Sequence, residues 1–244
     1  MTTGNPDTRP PLVVSTMTLA RSVSEAAVLE RSLERLAAHG WPVVVADGGS
    51  LPGFVTAIEG LPNVKVCAGH RLVGQIQGSM AVALDSHPSR ILYTEPDKEL
   101  FFQKHLMSFV AGSHSAASSS LCIAARSAAS FSTYPAHQRH TEGAINAACR
   151  DEFGSSDDFS YGPFVMPARI APYLMSVPAD VGWGWRHVAF AIAHRLGHRL
   201  VFLEGDFDCP PDQRHEGPAE RAYRDRQNAE NKLGLSLGLT MQLG

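Results

Sequence analysis

The sequence predicts an α/β fold of the Rossmann-like kind, with a mostly parallel sheet and helices on both of its faces. Between residues 11 and 97, short apolar runs alternate with amphipathic segments of helical spacing. Alternation of this kind is typical of a parallel sheet whose crossover helices pack on both faces. The strand candidates are also continuous apolar runs, as expected for strands that are covered on both sides.

Four strands are predicted in this part of the chain, at 11–17, 42–46, 63–67 and 90–94. The first helix begins at Ser22, because Glu25 follows three positions later in a capping-box pattern, and it ends near Gly40. In the second part, strands are predicted at 121–125 and 199–203 and helices at 141–152 and 187–196. No internal repeat or long linker divides the chain, so we expect a single domain at 11–205 after a flexible tail at 1–10.

Composition excludes several classes of protein. The 244 residues include 21 Lys and Arg against 24 Asp and Glu, so the formal net charge is −3 and no nucleic-acid partner is expected. The four cysteines lack metal-ligand spacing, which argues against a zinc site or a disulfide framework and favours the reducing cytoplasm. No apolar run is long enough to cross a membrane, and the start of the chain is not a signal peptide. The glycine fingerprints of dinucleotide dehydrogenases and P-loop NTPases are also absent.

Polar residues lie at the ends of three predicted strands. Ser15 and Thr16 end the first, Asp47-Gly48-Gly49-Ser50 follows the second, and Glu95-Pro96-Asp97 follows the fourth. Ligands of open α/β sheets bind at the carboxyl ends of the strands, so these residues form a candidate site. Asp47 either accepts hydrogen bonds from a base or ribose, with Gly48 allowing close approach, or serves only as a turn and cap residue.

Glu95 and Asp97 are the candidate metal ligands. A residue before proline favours extended backbone, and side chains at i and i+2 of an extended segment point the same way, so the two carboxylates are expected to converge. Mg²⁺ and Mn²⁺ take oxygen ligands, typically one or two carboxylates together with substrate phosphates. The alternative is that this acidic stretch caps the next helix, a role that is compatible with metal binding.

Taken together, these strand ends resemble those of the GT-A nucleotide-sugar glycosyltransferases, in particular the family-two-like branch. The likeness includes the DGGS turn and the acid-x-Asp motif, here with Glu first and a proline in the middle. Three later segments also resemble this family: 71–83 (RLVGQIQGSMAVA), 161–164 with Ala168-Arg169, and 182–197 (GWGWRHVAFAIAHRLG). The resemblance covers about residues 10 to 205.

The resemblance implies a metal-dependent hexosyltransferase. It would bind a nucleoside-diphosphate-sugar donor in the half at 11–97 and a small-molecule or glycan acceptor in the half at 98–205. The cofactor would be Mn²⁺ or Mg²⁺. A C-terminal loop and helix at 206–244 would close over the donor. The donor-binding residues would be Ser15, Thr16, Asp47, Gly48, Arg71, Gln75 and Glu95.

Metal ligands, acceptor contacts and the catalytic base follow from the same resemblance. His215 would join Glu95 and Asp97 at the metal, since these enzymes commonly supply a late histidine; otherwise it is an ordinary surface residue. Tyr161, Trp183 and Trp185 would contact the acceptor, the two tryptophans as a stacking platform unless they pack against the sheet. Trp185-Arg186 stands where the family has an acidic pair, so Asp180 is the substitute base; Asp157, Asp158 and Glu142 are the alternatives if it is only a solvated loop residue.

Two other functions remain open at this stage. A sugar-phosphate nucleotidyltransferase uses a similar sheet, but such enzymes carry a glycine-rich loop after the first strand, and residues 15–21 contain no glycine. A non-catalytic nucleotide-sugar-binding protein is suggested by the missing acidic pair at Trp185-Arg186.

Overall fold

The structure, a computed structural model, describes residues 11–243, so the tail expected at 1–10 lies outside the described residues. Seven strands form the sheet: β1 (Leu12–Thr18), β2 (Val43–Asp47), β3 (Val64–Ala68), β4 (Arg90–Tyr93), β5 (Leu121–Arg126), β6 (Phe164–Pro167) and β7 (Leu200–Gly205). The α-helices are α1 (Val23–Ala37), α2 (Pro52–Glu59), α3 (Arg71–Leu84), α4 (Glu99–Lys104), α5 (Leu106–Ser115), α6 (Ala128–Ser132), α7 (Ala136–Phe153), α8 (Ala171–Leu174), α9 (Trp185–Arg195) and α10 (Pro218–Thr240). Short 3₁₀ turns occur at Ala168–Ile170, Ala179–Gly184 and Pro211–Gln213.

The strand order in the sheet is β3-β2-β1-β4-β6-β5-β7. All neighbouring pairs are parallel except those of β6, which runs antiparallel to both β4 and β5. The predicted fold class, one α/β domain with a mostly parallel sheet, is confirmed. The antiparallel direction of β6 was not predicted, because a short apolar run does not reveal the direction of a strand.

Both faces of the sheet are covered, as the continuous apolar strands predicted. Val13 of β1 belongs to the core on one face, with Ile76 and Met80 of α3. Its neighbour Val14 belongs to the core on the other face, with Leu33 of α1. This alternation follows from the opposite directions of successive side chains in a strand.

The first helix begins as predicted. The Ser22 hydroxyl oxygen accepts a hydrogen bond from the Glu25 backbone N–H at 3.2 Å, and the Glu25 carboxylate accepts one from the Arg21 backbone N–H at 2.7 Å. The first bond satisfies one of the amide groups that a helix start leaves without intrahelical partners, and the second holds the chain just before the cap. The helix ends at Ala37, and Gly40 adopts φ +82° shortly after it.

Helix α10 packs against α9 and the 3₁₀ turn Ala179–Gly184 through close glycine contacts as well as through apolar side chains such as Leu235. A Cβ atom on Gly234 would overlap the Gly184 carbonyl group, and one on Gly238 would crowd the backbone of Val188. Gly182 adopts φ +53° and has the Glu230 carboxylate directly against it. The 3₁₀ turn at Ala179–Gly184 is therefore held closely against α10. Among residues 11–243, none of the helices combines the length and the apolar character needed to cross a membrane.

Candidate functional site

A cleft of about 860 Å³ opens at the carboxyl ends of the parallel strands. Its walls come from residues that follow β1, β2, β4 and β5, from the loop after β7, and from the first half of α10. Of the candidate site residues named from the sequence, the following line it: Gly48, Arg71, Gln75, Glu95, Asp97, Tyr161, Trp183 and His215. The cleft therefore lies at the edge of the sheet where the polar strand-end residues predicted a binding site.

Ser15 and Thr16 do not reach this cleft. Strand β1 continues to Thr18, so both residues lie inside the sheet and are fully buried. The Ser15 hydroxyl bonds to that of Ser79 at 2.7 Å, and the Thr16 hydroxyl donates to the Thr94 carbonyl at 2.8 Å. The donor contacts expected of these two residues are therefore not available, and Met17 and Thr18 occupy that part of the wall instead.

The turn after β2 is held by Asp47. Its carboxylate accepts hydrogen bonds from the backbone N–H groups of Gly49 at 2.9 Å and Ser50 at 3.0 Å. Gly48 lines the cleft, whereas Asp47 stands just outside it. The arrangement matches the turn role that the sequence left open for Asp47.

Gln75 and Arg71 belong to the start of α3. The Gln75 side-chain amide donates to the carbonyls of Thr18 at 2.7 Å and Ala46 at 3.0 Å, so both of its hydrogens tie the ends of β1 and β2 together. Arg71 is exposed, lines the cleft and has φ +55°, a left-handed conformation that few non-glycine residues adopt. Such strain persists where the surrounding structure imposes it, and it is frequent at binding sites.

Glu95 and Arg186 form a buried ion pair at the end of β4. An N–H of the Arg186 guanidinium, at Nη1, donates to Glu95 Oε1 at 2.9 Å, and the two residues are 3% and 7% exposed, respectively. A Cβ atom on Gly162, which has φ +128°, would overlap the Glu95 carboxylate. A glycine is therefore what allows this carboxylate to be buried here.

The extended geometry expected of Glu95 and Asp97 is not observed. The chain turns at Pro96-Asp97 instead of continuing as a strand, so the i, i+2 argument does not hold. Glu95 is buried beside Arg186, and Asp97 is exposed in the cleft. Asp97 does not cap the next helix either, because α4 has Lys98 at its N-cap and no side-chain capping bond.

Asp97 is the acidic residue of this motif that stands free for a cation. Its carboxylate makes no hydrogen bond or ion pair with other residues in the described part of the chain. His215 also lines the cleft, but residues 11–243 contain no cluster of three His, Cys, Asp or Glu arranged to hold a metal. A cation held mainly by substrate phosphates needs only one or two protein carboxylates, so Asp97 fits such a cation. Glu95 fits less well, because Arg186 already neutralises it.

The residues expected at the acceptor differ in their placement. Trp185 is 1% exposed, packs edge-on against Tyr93 with ring centroids 4.5 Å apart, and does not line the cleft. Trp183 and Tyr161 do line it, and the Tyr161 ring stacks on Phe207 with centroids 4.7 Å apart. Trp185 therefore packs against the sheet, which was the alternative for one of the two tryptophans.

Asp180 lies outside the cleft. It is exposed in the 3₁₀ turn Ala179–Gly184, and Trp183, further along that turn, is the residue that enters the cleft. The base role expected of Asp180 is therefore not supported by its position. Of the three alternatives, Glu142 lines the cleft, Asp158 pairs with a buried arginine, and Asp157 accepts a hydrogen bond from Ser155.

A buried charge cluster around Arg126 was not predicted from the sequence. Arg126 is the last residue of β5, and its guanidinium donates to Asp158 at 2.6 Å and to Glu142 at 2.7 Å. The rings of Phe131 and Tyr134 lie 4.6 Å and 4.4 Å from it. The signal available in the sequence was an arginine that directly ends an apolar strand. Its partners lie 16 and 32 positions away and could not be inferred from spacing.

The ionisation of this cluster follows from its geometry. Burial alone would raise the pKa of Asp158, but the charge and hydrogen bonds of Arg126 outweigh it and the pKa is lowered. On the opposite wall, burial raises the pKa of Tyr223 to about 12. Burial also raises the pKa of Tyr161 well above its ordinary value. Both phenols therefore stay protonated at neutral pH and can donate hydrogen bonds to a ligand.

Comparison with models of protein families gave no match, and comparison with curated protein sequences gave none either. Similar structures were found, among them glucosyl-3-phosphoglycerate synthase from Mycobacterium tuberculosis. Its complex with Mn²⁺, UDP and glucosyl-3-phosphoglycerate is 16% identical, with a TM-score of 0.61 over 97% of this chain and 82% of that one. Its complex with Mg²⁺ and UDP is 14% identical, with a TM-score of 0.62 over 97% of this chain and 81% of that one.

A third complex of the same synthase, with Mn²⁺, UDP-glucose and phosphoglyceric acid, is 16% identical with a TM-score of 0.60, over 97% of this chain and 82% of that one. At this identity the likeness shows the fold. The chain has the GT-A fold of the nucleotide-sugar glycosyltransferases, and the resemblance inferred from the sequence is confirmed at that level.

Proposed function

We propose that the chain is a glycosyltransferase of the hexosyltransferase class that moves a sugar from a nucleoside-diphosphate-sugar to an acceptor hydroxyl with the help of a divalent cation. The observation that carries the proposal is the exposed Asp97 carboxylate, unpaired within residues 11–243, in a cleft at the carboxyl ends of the parallel strands. The proposal is also supported by the structurally similar glucosyl-3-phosphoglycerate synthase, whose crystal structures contain UDP or UDP-glucose together with Mn²⁺ or Mg²⁺.

Asp97 would hold the cation, with His215 as a second ligand from the loop that follows the 3₁₀ turn Pro211–Gln213. When bound, such a cation stabilises the negative charge that develops on a diphosphate leaving group. The loop after β7 is fastened close by, since the Tyr134 hydroxyl donates to the Phe207 carbonyl at 2.9 Å and the Cys209 N–H donates to Thr133 at 2.9 Å. These bonds hold the beginning of the loop, and His215 lies beyond them.

The donor and the acceptor would bind at different ends of the cleft. Thr18, Gly48 and Arg71 lie at the ends of β1 and β2 and at the start of α3, where the nucleoside and its phosphates would bind. Tyr161 and Trp183 lie on the side built by the second half of the chain, where they would contact the acceptor. Protonated tyrosine and an indole ring offer hydrogen-bond donors and flat apolar faces, which suit a polyhydroxylated molecule.

Glu142 is the carboxylate that we place beside the acceptor hydroxyl. Its two oxygens accept hydrogen bonds from Arg126 at 2.7 Å and from Gln138 at 2.8 Å. A carboxylate has about four lone-pair sites, so each oxygen keeps one that can accept a proton. In an inverting transfer the group that removes the acceptor proton must be fixed within hydrogen-bond reach, and these two bonds fix Glu142.

A thermal-shift panel of UDP-, GDP-, ADP- and dTDP-sugars, each with and without Mn²⁺, tests the proposal. One donor should raise the melting temperature only when the metal is present, because a ligand at 100 times its Kd stabilises the folded state by about 2.7 kcal/mol. Slow hydrolysis of that donor to the nucleoside diphosphate would exclude a non-catalytic binding protein. If none of the four donors stabilises the protein in either condition, the proposal fails.

A further inference from the structure

We propose that Arg186 contacts the diphosphate of the donor, so that this protein places a fixed guanidinium beside the cation at the leaving group. The inference rests on the proposed function and adds to it a binding residue on the helix after the Gly182–Gly184 turn. It also gives Glu95 a different task from metal ligation, namely to hold Arg186 in place.

The guanidinium of Arg186 is buried, but some of its N–H groups have no hydrogen-bond acceptor within the described residues. Arg186 is 3% exposed and lines the cleft. Its hydrogen bond within the described part of the chain is the one from Nη1 to Glu95, and its Nε–H has no acceptor there. A buried donor without a partner is unfavourable, because it has lost its hydrogen bonds to water. Arg186 therefore retains hydrogen-bonding capacity that the protein does not use.

Two contacts fix the guanidinium where it is, and one of them is itself anchored to α10. Glu95 binds it at 2.9 Å, and the Trp183 ring lies 5.5 Å from it. Trp183 is itself tied to α10, because its backbone N–H donates to the Glu230 carboxylate at 2.9 Å. A cation that is already oriented needs no rearrangement to meet charge that develops during a reaction, which is the basis of electrostatic preorganisation.

The position of Arg186 matches a diphosphate. Its partner Glu95 precedes the Pro96-Asp97 turn, which brings the free carboxylate of Asp97 into the same cleft. Asp97 would hold the cation that accompanies the donor diphosphate, so the diphosphate would bind in the cleft that Arg186 also lines. A guanidinium group can donate two parallel N–H hydrogen bonds to one phosphate, whereas a lysine ammonium binds phosphate as a point charge.

A purely structural role explains the ion pair less well. Replacing a buried ion pair by apolar residues is often neutral or stabilising, so the pair on its own is weak evidence of a stabilising function. Stability alone therefore gives little reason to bury a guanidinium next to the cleft when its Nε–H has no acceptor within the described residues.

Calorimetry with the nucleoside diphosphate and monophosphate of the base selected by the donor panel tests the inference. Arg186→Met should weaken diphosphate binding at least tenfold in the presence of Mn²⁺ and change monophosphate binding by less than threefold. Arg186→Lys should recover part of the loss, since it restores charge without the planar fork. Arg199→Met, at an exposed arginine away from the cleft, is the matched control and should bind like the wild type.

Arg186→Met leaves Glu95 buried without a partner, so the double variant Glu95→Gln/Arg186→Met is made as well. It removes both charges and should show the same selective loss of diphosphate affinity. Glu95→Gln alone, which keeps an oxygen acceptor for Arg186, should lose less than Arg186→Met. Equal weakening of mono- and diphosphate binding, or unchanged binding in both Arg186→Met variants, would overturn the inference. If the wild type binds no nucleoside diphosphate at all, it is the proposed function that has failed.

Discussion

Glu95 and Arg186 are 91 positions apart in the chain, and their side chains are joined by a hydrogen bond of 2.9 Å in the cleft. This pairing separates the two carboxylates of the acidic motif. Glu95 is neutralised and buried, while Asp97 stays exposed and unpaired within the described residues. The motif therefore provides one carboxylate that holds Arg186, that of Glu95, and one that is available to a cation, that of Asp97, rather than two equivalent metal ligands.

Removing the cation of the Arg126 cluster is expected to destabilise the fold. Arg126→Met leaves Asp158 and Glu142 buried without their cation, and breaking a buried ion pair in this way typically costs about 3–5 kcal/mol. Urea unfolding measures the change. The control is Arg150→Met, whose partner Asp151 lies 3.8 Å away on the surface, and it should change stability by less than about 1 kcal/mol. Similar values for the two variants would show that the cluster is not holding the fold.

His187 should make the protein sensitive to acid. Burial, with a smaller contribution from Arg186, lowers the pKa of His187 to about 3, against an ordinary value of about 6.5. Between these values the unfolded chain binds a proton that the folded protein does not. Stability should therefore fall by about 1.4 kcal/mol for each unit of pH below about 6.5 on account of this residue.

The variant His187→Leu tests this pH dependence. Neither ring nitrogen of His187 has a hydrogen-bond partner among residues 11–243, so leucine loses no bond there. Its free energy of unfolding, measured by urea titration between pH 7 and pH 4, should fall less steeply than that of the wild type. His140→Leu, at an exposed position, should keep the wild-type slope. An unchanged slope in His187→Leu would mean that other groups set the acid sensitivity.

The docking of α10 should depend on Gly234. Alanine at this position would push against the Gly184 carbonyl, and overpacking of this kind costs roughly 1–3 kcal/mol. Gly143→Ala in α7 is the control, because nothing lies within 4 Å of the added methyl group. It should stabilise the helix by up to about 1 kcal/mol. Thermal unfolding compares the two, and a Gly234→Ala variant as stable as the control would contradict the close packing.

Glu142 should matter for turnover and not for donor binding. Glu142→Gln keeps an oxygen for the Arg126 hydrogen bond but cannot take up a proton, so an inverting transfer should slow at least about a hundredfold. Donor affinity by calorimetry should stay within a factor of about three. Near-normal turnover with an identified acceptor would remove Glu142 as the base.

The first half of the fold could be predicted from the sequence because its signals are local. Strands β1 to β4 are continuous apolar runs, and the capping box at Ser22 is observed where the pattern placed it. The second half was harder to predict, since β6 has only four residues and the closest contacts of α10 are made by Gly234 and Gly238. Periodicity cannot detect a helix face made of glycines.

The site was predicted in outline for the same reason. Strand-end residues such as Gly48 and Asp97 reach the cleft because the topology alone brings parallel strand ends to one edge. Asp180 and Trp185 were expected at the cleft but do not line it. Both flank Gly182, where the backbone of the turn is not helical, and spacing in the sequence does not reveal such a change. The partners of Arg126 and Arg186 lie far away in the chain, and such pairings have no local pattern.

Calorimetric titration of the stabilising nucleoside diphosphate into wild type and Asp97→Asn, each with Mn²⁺ and with a chelator, tests whether Asp97 holds the cation on which donor binding depends. We expect tight binding to the wild type with Mn²⁺, weaker binding with the chelator, and weak binding to Asp97→Asn that Mn²⁺ does not improve. The variant should unfold at the same urea concentration as the wild type, since Asp97 is exposed and bonds to no other described residue. An Asp97→Asn protein that keeps the full effect of Mn²⁺ would contradict the placement of the cation and the function built on it.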